Sequence, residues 1–453
     1  MKVLRRASTV KGCNTQNERG SGVSERRSIW KKKSGKRVAL LLAALALLFL
    51  IGGCGVKKTE TQQEAQQQPD RLRIGMSFDS FVIERWIRDR DFFTMTAKNL
   101  GAEVNVQTAN GEVEEQISQI RYFIKKKMDV IVVIAVDSEA LSEVVAEAKD
   151  QGIRVIAFDR PLVRTQMDLY ISFDNRQVGV LMAEALADVL PDGGNIFMIN
   201  GSPTDYNVKQ VRRGFYEGIE GSALEVVYTA YCENWLAELA FDAVEEGLST
   251  TPRNLVGVMC GNDDLAGQAF RVLAENRLAG KVILVGQDAD LAACQRIVEG
   301  TQTMTVYKPV ETLAKTAAEF AAALGYEKME EEGRIRHEEI PKMAAKRLEE
   351  YKKLPHLSEE GMELGDGKER YFTASDGAMS AEQWKTACGE YESVYYSADT
   401  DKGMVRVKEE FPYQTPYYFI EPVAVTAENI DEVIIGSDFH TEEDVYLNTK
   451  ENE

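Results

Sequence analysis

From Arg71 onward the chain alternates short β-branched apolar runs with amphipathic stretches of helical length, and it does so in two sets. The first set runs RIGMSF (73–78), a helix from about Glu84 to Leu100, EVNVQT, a helix through Ile117 and Ile124, DVIVVIAV (129–136), a helix through Val145, and IRVIAF (153–158). The second begins near Asn195 with NIFMIN and continues through LEVVYTA, LVGVMC and KVILVGQ, each followed by a helical stretch. A run such as DVIVVIAV is apolar on both faces, as a parallel sheet covered by helices on both sides requires. The pattern predicts an α/β fold of two doubly wound parallel-sheet lobes.

In open parallel sheets, ligands bind beyond the carboxyl ends of the strands, where loops and helix N-termini converge. Polar residues follow the strands directly here: Asp159-Arg160 after IRVIAF, Asp205 and Asn207 after NIFMIN, Asn262-Asp263-Asp264 after LVGVMC, and Asp288 and Asp290 after KVILVGQ. Acids, amides and Arg alternating at strand ends suit a site that hydrogen-bonds hydroxyls. Each of these residues alone also fits a helix N-cap, and that is the expectation for Asp263, Asp264 and Asp290. Capping leaves the accumulation across both lobes unexplained.

Charge divides the chain in two. Residues 1–53 hold 12 Lys and Arg and only two acids, Glu18 and Glu25, whereas the whole chain carries 54 basic and 73 acidic residues, a net charge of −19. From Cys54 onward the balance is therefore 42 against 71, or −29. So acidic a body does not suit a nucleic-acid partner, whose phosphates need Lys and Arg. The basic run ending Lys36-Arg37 precedes an apolar stretch from Val38 to Ile51 and then Gly52-Gly53-Cys54. Those are the parts of a secretory signal. Fourteen apolar residues fall short of the roughly 30 Å hydrocarbon core, which disfavours a permanent span. KKTETQQEAQQQPD (57–70) reads as a flexible tether. Cys232, Cys260, Cys294 and Cys388 are scattered and suggest neither a disulfide framework nor a zinc site.

Enzyme signatures are lacking. His337, His356 and His440 are dispersed, and neither GxSxG nor a phosphate-cradling GxxxxGK[ST] occurs. Asp288, Asp290 and Glu299 hold the first, third and twelfth positions of a calcium loop, but Ala292 and Ala293 stand where an oxygen ligand and the turn Gly belong. No metal and no cofactor is expected.

The segments IGMSFDSFVIERWIRDRDFF, VQTANGEVEEQISQI, AFDRPL, YISFDNRQVG, GSPTDYNVK, GNDDLAG, GQDADL and TQTMTVYKP, with YFIEPVAVTAENIDEVIIGSDFH near the end, resemble the type I periplasmic sugar-binding proteins of bacterial ABC transporters, in particular their D-xylose-binding branch. The likeness covers about 71–329 and resumes near Tyr417. It implies a monosaccharide held between two closing lobes joined by a three-stranded hinge, with chain crossings near Asn175–Val178, Thr305–Lys308 and Glu421–Val423. Carried over position by position, the contacts would be Arg85, Trp86, Asp159 and Arg160, then Asp205, Asn207, Trp235, Asn262, Asp288 and Lys308. Those residue types fit a pyranose independently, with aromatic rings for its C–H faces and charged groups for its hydroxyl rim. Ile51-Gly52-Gly53-Cys54 likewise resembles a bacterial lipobox, which implies lipidation of Cys54 and a membrane anchor on the extracytoplasmic face.

The expected divisions are a signal over 1–53, a tether over 54–70, one lobe over 71–176 plus 309–329, a second over 177–308 plus 416–446, and an atypical insertion over 330–415. Met343, Leu348 and Tyr351 are the candidate docking face of a helix within that insertion, whose alternating VRVKEE suggests a small sheet. The protein is expected to be a monomer that delivers sugar to an ABC permease. A sensor that shows its closed form to a histidine kinase or chemoreceptor is the alternative. A repressor with the same core would need a helix-turn-helix where the signal and tether stand.

Overall fold

The computed structural model describes residues 70–251, 254–357, 362–364, 370–373, 377–380, 382–383, 397–398, 404–406 and 414–449. The signal, Cys54 and nearly all of the tether lie outside the described residues, as do Trp30 and Trp384.

Five strands alternate with three helices in the first lobe: β1 (Arg73–Phe78), α1 (Arg85–Asn99), β2 (Glu103–Thr108), α2 (Val113–Lys125), β3 (Val130–Val133), α3 (Ser142–Asp150), β4 (Arg154–Phe158) and β5 (Leu169–Phe173). Every residue of β3 and β5 is buried, because helices cover both faces of the sheet. After α4 (Asn175–Val189), the second lobe repeats the scheme with β6 (Gly194–Asn200), α5 (Tyr206–Gly218), β7 (Leu224–Cys232), α6 (Ala237–Thr250), β8 (Leu255–Cys260), α7 (Asp263–Glu275), β9 (Ile283–Gln287), α8 (Leu291–Val298) and β10 (Met304–Tyr307). These are the two doubly wound lobes that the hydrophobic runs require.

The chain then returns through α9 (Val310–Glu331), whose Ala317, Ala318, Ala321 and Ala322 are fully buried on the first lobe. α10 (Lys342–Tyr351) packs beside it. Arg347 Nε meets Glu319 Oε2 at 2.7 Å, and Tyr351 Oη donates to Asp168 O at 2.9 Å. Ala344 and Leu348 face inward while Met343 is 41% exposed, so Met343 is not part of the face that α10 buries. Past the short pairing of β11 (Met362–Leu364), the inserted segment reaches the other lobe, where β12 (Arg370–Thr373) runs parallel to β7 and β13 (Gly377–Ser380) antiparallel to β12. Tyr371 stacks on Tyr231 with ring centroids 4.8 Å apart. A separate small sheet joins β14 (Ser397–Ala398) and β15 (Met404–Arg406) to β11.

The last strands, β16 (Tyr417–Ile420) and β17 (Val423–Val425), complete one sheet each. The strand orders are β16-β5-β4-β3-β1-β2, all parallel, and β13-β12-β7-β6-β8-β9-β10-β17. Placing all of 416–446 in the second lobe is thus corrected: Tyr417–Ile420 extends the first lobe's sheet beside β5, and the chain changes lobes between Ile420 and Val423. A strand of four residues lacks the length to show in sequence which sheet it joins.

Candidate functional site

The carboxyl ends of both sheets face one another across a cavity. Nine of the ten residues named above line it: Arg85, Trp86, Asp159, Arg160, Asp205, Asn207, Trp235, Asp288 and Lys308. The tenth, Asn262, is not on the wall. It stands next to the lining residue Gly261 and caps α7, its Oδ1 accepting from Leu265 N at 3.0 Å, while its buried Nδ2 has no hydrogen-bond partner.

Local structure aims these side chains inward. Asp159 follows β4 with φ +62°, Trp235 ends the turn after β7 with φ +60°, and Asp288 follows β9 with φ +98°. Such backbones cost non-glycine residues on the order of 1–3 kcal/mol each and persist where the surroundings over-determine them. The Trp235 ring lies against the backbone of Gly201, where a β-carbon would collide with it. Its Nε1 donates to Asp205 Oδ2 at 3.1 Å. Trp86, 1% exposed, is both a core residue and a wall of the cavity, with the Arg85 guanidinium 4.5 Å from its ring centre.

Each cation has an acid on its own side of the cleft. Within the first lobe, Arg85 meets Asp89 at 3.0 Å and Asp159 at 2.8 Å, and Arg160 meets Asp79 at 2.7 Å. Lys308 meets Asp288 at 2.6 Å in the second. Other contacts cross the cleft: Arg160 Nε to Asp205 Oδ2 at 2.7 Å, Arg85 Nη1 to Asp288 Oδ1 at 3.9 Å, and Asn207 Nδ2 to Asp159 O at 3.0 Å. Separation of the lobes would therefore leave no cation without an acid, and Asp205, which gives up Arg160, keeps the donors Asn207 N and Trp235 Nε1. Burial pushes Asp159 up, but the Arg85, Lys308 and Arg160 charges outweigh it and hold its carboxyl below the usual range. Asp89, just behind Arg85, is pushed by burial up to about 7. Asp205 is likewise raised by burial, against the pull of Arg160.

Asn175, Asn200 and Gln287 also line the cavity and had no assigned role. Asn200 and Gln287 are the final residues of β6 and β9, so the strand-end rule reaches them if it includes a strand's last residue as well as the next one. Asp79 and Asp89 back up the arginines from inside the quoted segment IGMSFDSFVIERWIRDRDFF.

The capping expectation holds for position at Asp290 and needs correction at Asp263 and Asp264. Asp290 is the N-cap residue of α8 but makes no side-chain cap bond, Asp263 and Asp264 lie inside the first turn of α7, and Asn262 and Asp205 hold N-cap positions with side-chain bonds to Leu265 N and Asn207 N. Burial, together with the Asp288 and Glu84 carboxylates, raises Asp264 from its ordinary value near 3.8 to about 6. The folded state thus holds a proton that the unfolded chain has released, and stability falls as pH rises from about 4 to 6. Asp264→Asn should raise the melting temperature by about 1–3 °C above pH 6 and much less at pH 4. A gain of equal size at pH 4 and pH 8 in thermal scans would contradict this.

Residues 74–328 match the periplasmic binding protein domain, and the chain belongs to that family. As a member it is a solute-binding protein of the extracytoplasmic space and not an enzyme. It is 35% identical over 405 residues to the D-xylose-binding periplasmic protein of Haemophilus influenzae, covering 88% of this chain and 98% of that one. Its identity to the D-xylose-binding periplasmic protein of Escherichia coli is 45% over 258 residues, covering 56% of this chain and 78% of that one. A carbohydrate-transporter solute-binding protein of Chloroflexus aurantiacus, solved with D-glucose, shares the fold with a TM-score of 0.61 at 19% identity, covering 83% of this chain and 98% of that one.

Proposed function

We propose that this protein captures a monosaccharide, D-xylose or a closely related aldose, between its lobes and presents the closed form to an ABC permease. The observation that carries the reading is the lining of the cavity. Two Trp rings, three cations and three carboxylates from both lobes converge on it, with Asn175, Asn200, Asn207 and Gln287 between them. A pyranose offers C–H faces to aromatic rings and hydroxyls that both donate and accept, and this lining supplies the complement to each. Trp86 Nε1 and Gln287 Oε1, both buried on the wall, have no hydrogen-bond partner in the protein and are available to a hydroxyl.

The mechanism is a population shift. Pairs within each lobe keep every cation of the opened cleft beside an acid. A sugar that contacts Arg85, Asp159 and Arg160 on one side and Asp205, Asn207, Asp288 and Lys308 on the other binds only the closed form and favours it. Relatives whose names state D-xylose point to that sugar, and solved relatives of the same fold with D-glucose or D-allose mark the competitors. Lipidation of Cys54 would hold the body at the membrane through the tether, and mass spectrometry of the mature N-terminus tests that part. For the ligand, a thermal-shift panel of D-xylose, D-ribose, L-arabinose, D-glucose and D-allose decides. A sugar at 100 times its Kd adds about 2.7 kcal/mol of stability. D-xylose is expected to give the largest shift, and no shift with any aldose would reject the reading.

A further inference from the structure

Asp263 makes no contact with the cavity, yet it is only 2% exposed and its carboxylate is surrounded by donors. Its Oδ2 accepts from Thr305 Oγ1 at 2.6 Å and from Asp290 N at 3.2 Å, and its Oδ1 accepts from Gln302 Nε2 at 2.9 Å. Gln302 in turn is held by Arg296, whose Nε donates to Gln302 Oε1 at 2.9 Å and whose Nη2 donates to Asp263 O at 3.2 Å. The Thr305 hydroxyl gives its proton to Asp263 and so offers a lone pair to Ala289 N at 3.1 Å. Asp288 N bonds Val306 O at 2.8 Å.

Three successive amides of the loop Asp288-Ala289-Asp290 are thus satisfied, one by strand β10, one through Thr305 and one by Asp263 itself. That loop is where the backbone is most unusual, with φ +98° at Asp288 and +54° at Ala289. It bears the Asp288 carboxylate, and β10 leads directly into Lys308, its partner at 2.6 Å. Gly286, just before the loop, packs so tightly on Asp263 that a β-carbon there would overlap the carboxylate. One buried side chain therefore ties α7, the ligand loop and the hinge strand into a single unit.

We propose that Asp263, acting with Thr305, is a positioning residue that sets the orientation of Asp288 and Lys308 for sugar binding. The inference rests on the reading of the cavity as a monosaccharide site. It goes further by placing part of that site's affinity in two residues that do not line the cavity. Removing the Thr305 hydroxyl leaves Ala289 N, the amide next to Asp288, without its acceptor and Asp263 Oδ2 without one of its donors, whereas serine keeps the same hydroxyl and loses only a methyl.

Calorimetric titration of the full chain with D-xylose and with D-glucose tests this through Thr305→Val, Thr305→Ser, Asp288→Ala and the double variant Thr305→Val/Asp288→Ala. Thr305→Val should weaken binding about tenfold or more, with Thr305→Ser restoring affinity to within about threefold of the original. In the Asp288→Ala background the Thr305→Val change should cost less than about twofold, because Asp288, through which Lys308 is also held, is already gone. A merely structural role predicts a lowered melting temperature with unchanged affinity, or equal effects in both backgrounds, and either result overturns the inference. Should Thr305→Val not fold, Asp263→Asn in the same two backgrounds replaces it. Its single amide oxygen cannot serve both the Thr305–Asp290 side and Gln302, so the same loss and the same non-additivity are expected. If Asp288→Ala binds as tightly as the original chain, or neither sugar binds, it is the reading of the cavity that fails. If Asp288→Ala weakens binding and Thr305→Val does not, the positioning role alone falls.

Discussion

Asp288→Ala is expected to weaken monosaccharide binding by about 2 to 5 kcal/mol, roughly 30-fold to several thousand-fold. The side chain is 4% exposed and answers Lys308 at 2.6 Å and Arg85 at 3.9 Å, one cation from each side of the cleft. Its removal leaves Lys308, itself 5% exposed, without that acid in the closed form, and takes away an acceptor for sugar hydroxyls. Arg85 keeps Asp89 and Asp159, so the first lobe should retain its shape. The loss should appear in the dissociation constant while the ligand-free melting temperature moves by only a few degrees. Equal affinity of the variant and the original chain in a calorimetric titration would remove Asp288 from the site.

How much of this was legible in the sequence differs between the fold and the cavity. The two sheets were legible because β3 and its counterparts are short runs apolar on both faces, a pattern that leaves a chain few alternatives. The strand-end rule then placed Asp159, Arg160, Asp205, Asn207 and Asp288 on one side of each sheet. It could not separate ligand groups from supporting ones. Asp263 and Asp264 sit side by side at one strand end, yet Asp263 accepts hydrogen bonds from Thr305 and Gln302, and only those three-dimensional partners reveal it. Asp79 and Asp89 were hidden likewise, since their partner arginines lie 81 and four residues away and a lone acid in a charged helix start reads as solvated surface.

The largest effect on stability is expected at Gly179. α4 and α5 cross with Gly179 set against the Val211 carbonyl and Gly214 against the Arg176 carbonyl, so a β-carbon at either position would overlap backbone oxygen. Val178, Met182, Val211 and Phe215 form the core around this crossing, and backbone cannot yield as a flexible side chain can. Gly179→Val should therefore cost about 3 kcal/mol or more and unfold or misdock the second lobe. Because α4 begins directly after β5, sugar affinity should fall with it. Denaturant titration giving a loss under 1 kcal/mol would show that the helices can separate without penalty.

The sequence by itself determined that the chain builds two parallel sheets and that polar residues gather at their carboxyl ends, since hydrophobic period and strand polarity are local properties. Tertiary structure alone decided that five of those side chains share one cavity with Arg85, Trp86, Trp235 and Lys308, that each cation has an acid within its own lobe, and that β16 joins the first sheet while β12 joins the second. Pairing between strands and ion pairs across a cleft depend on distances between residues far apart in the chain. No local pattern encodes those distances until both lobes have folded and met.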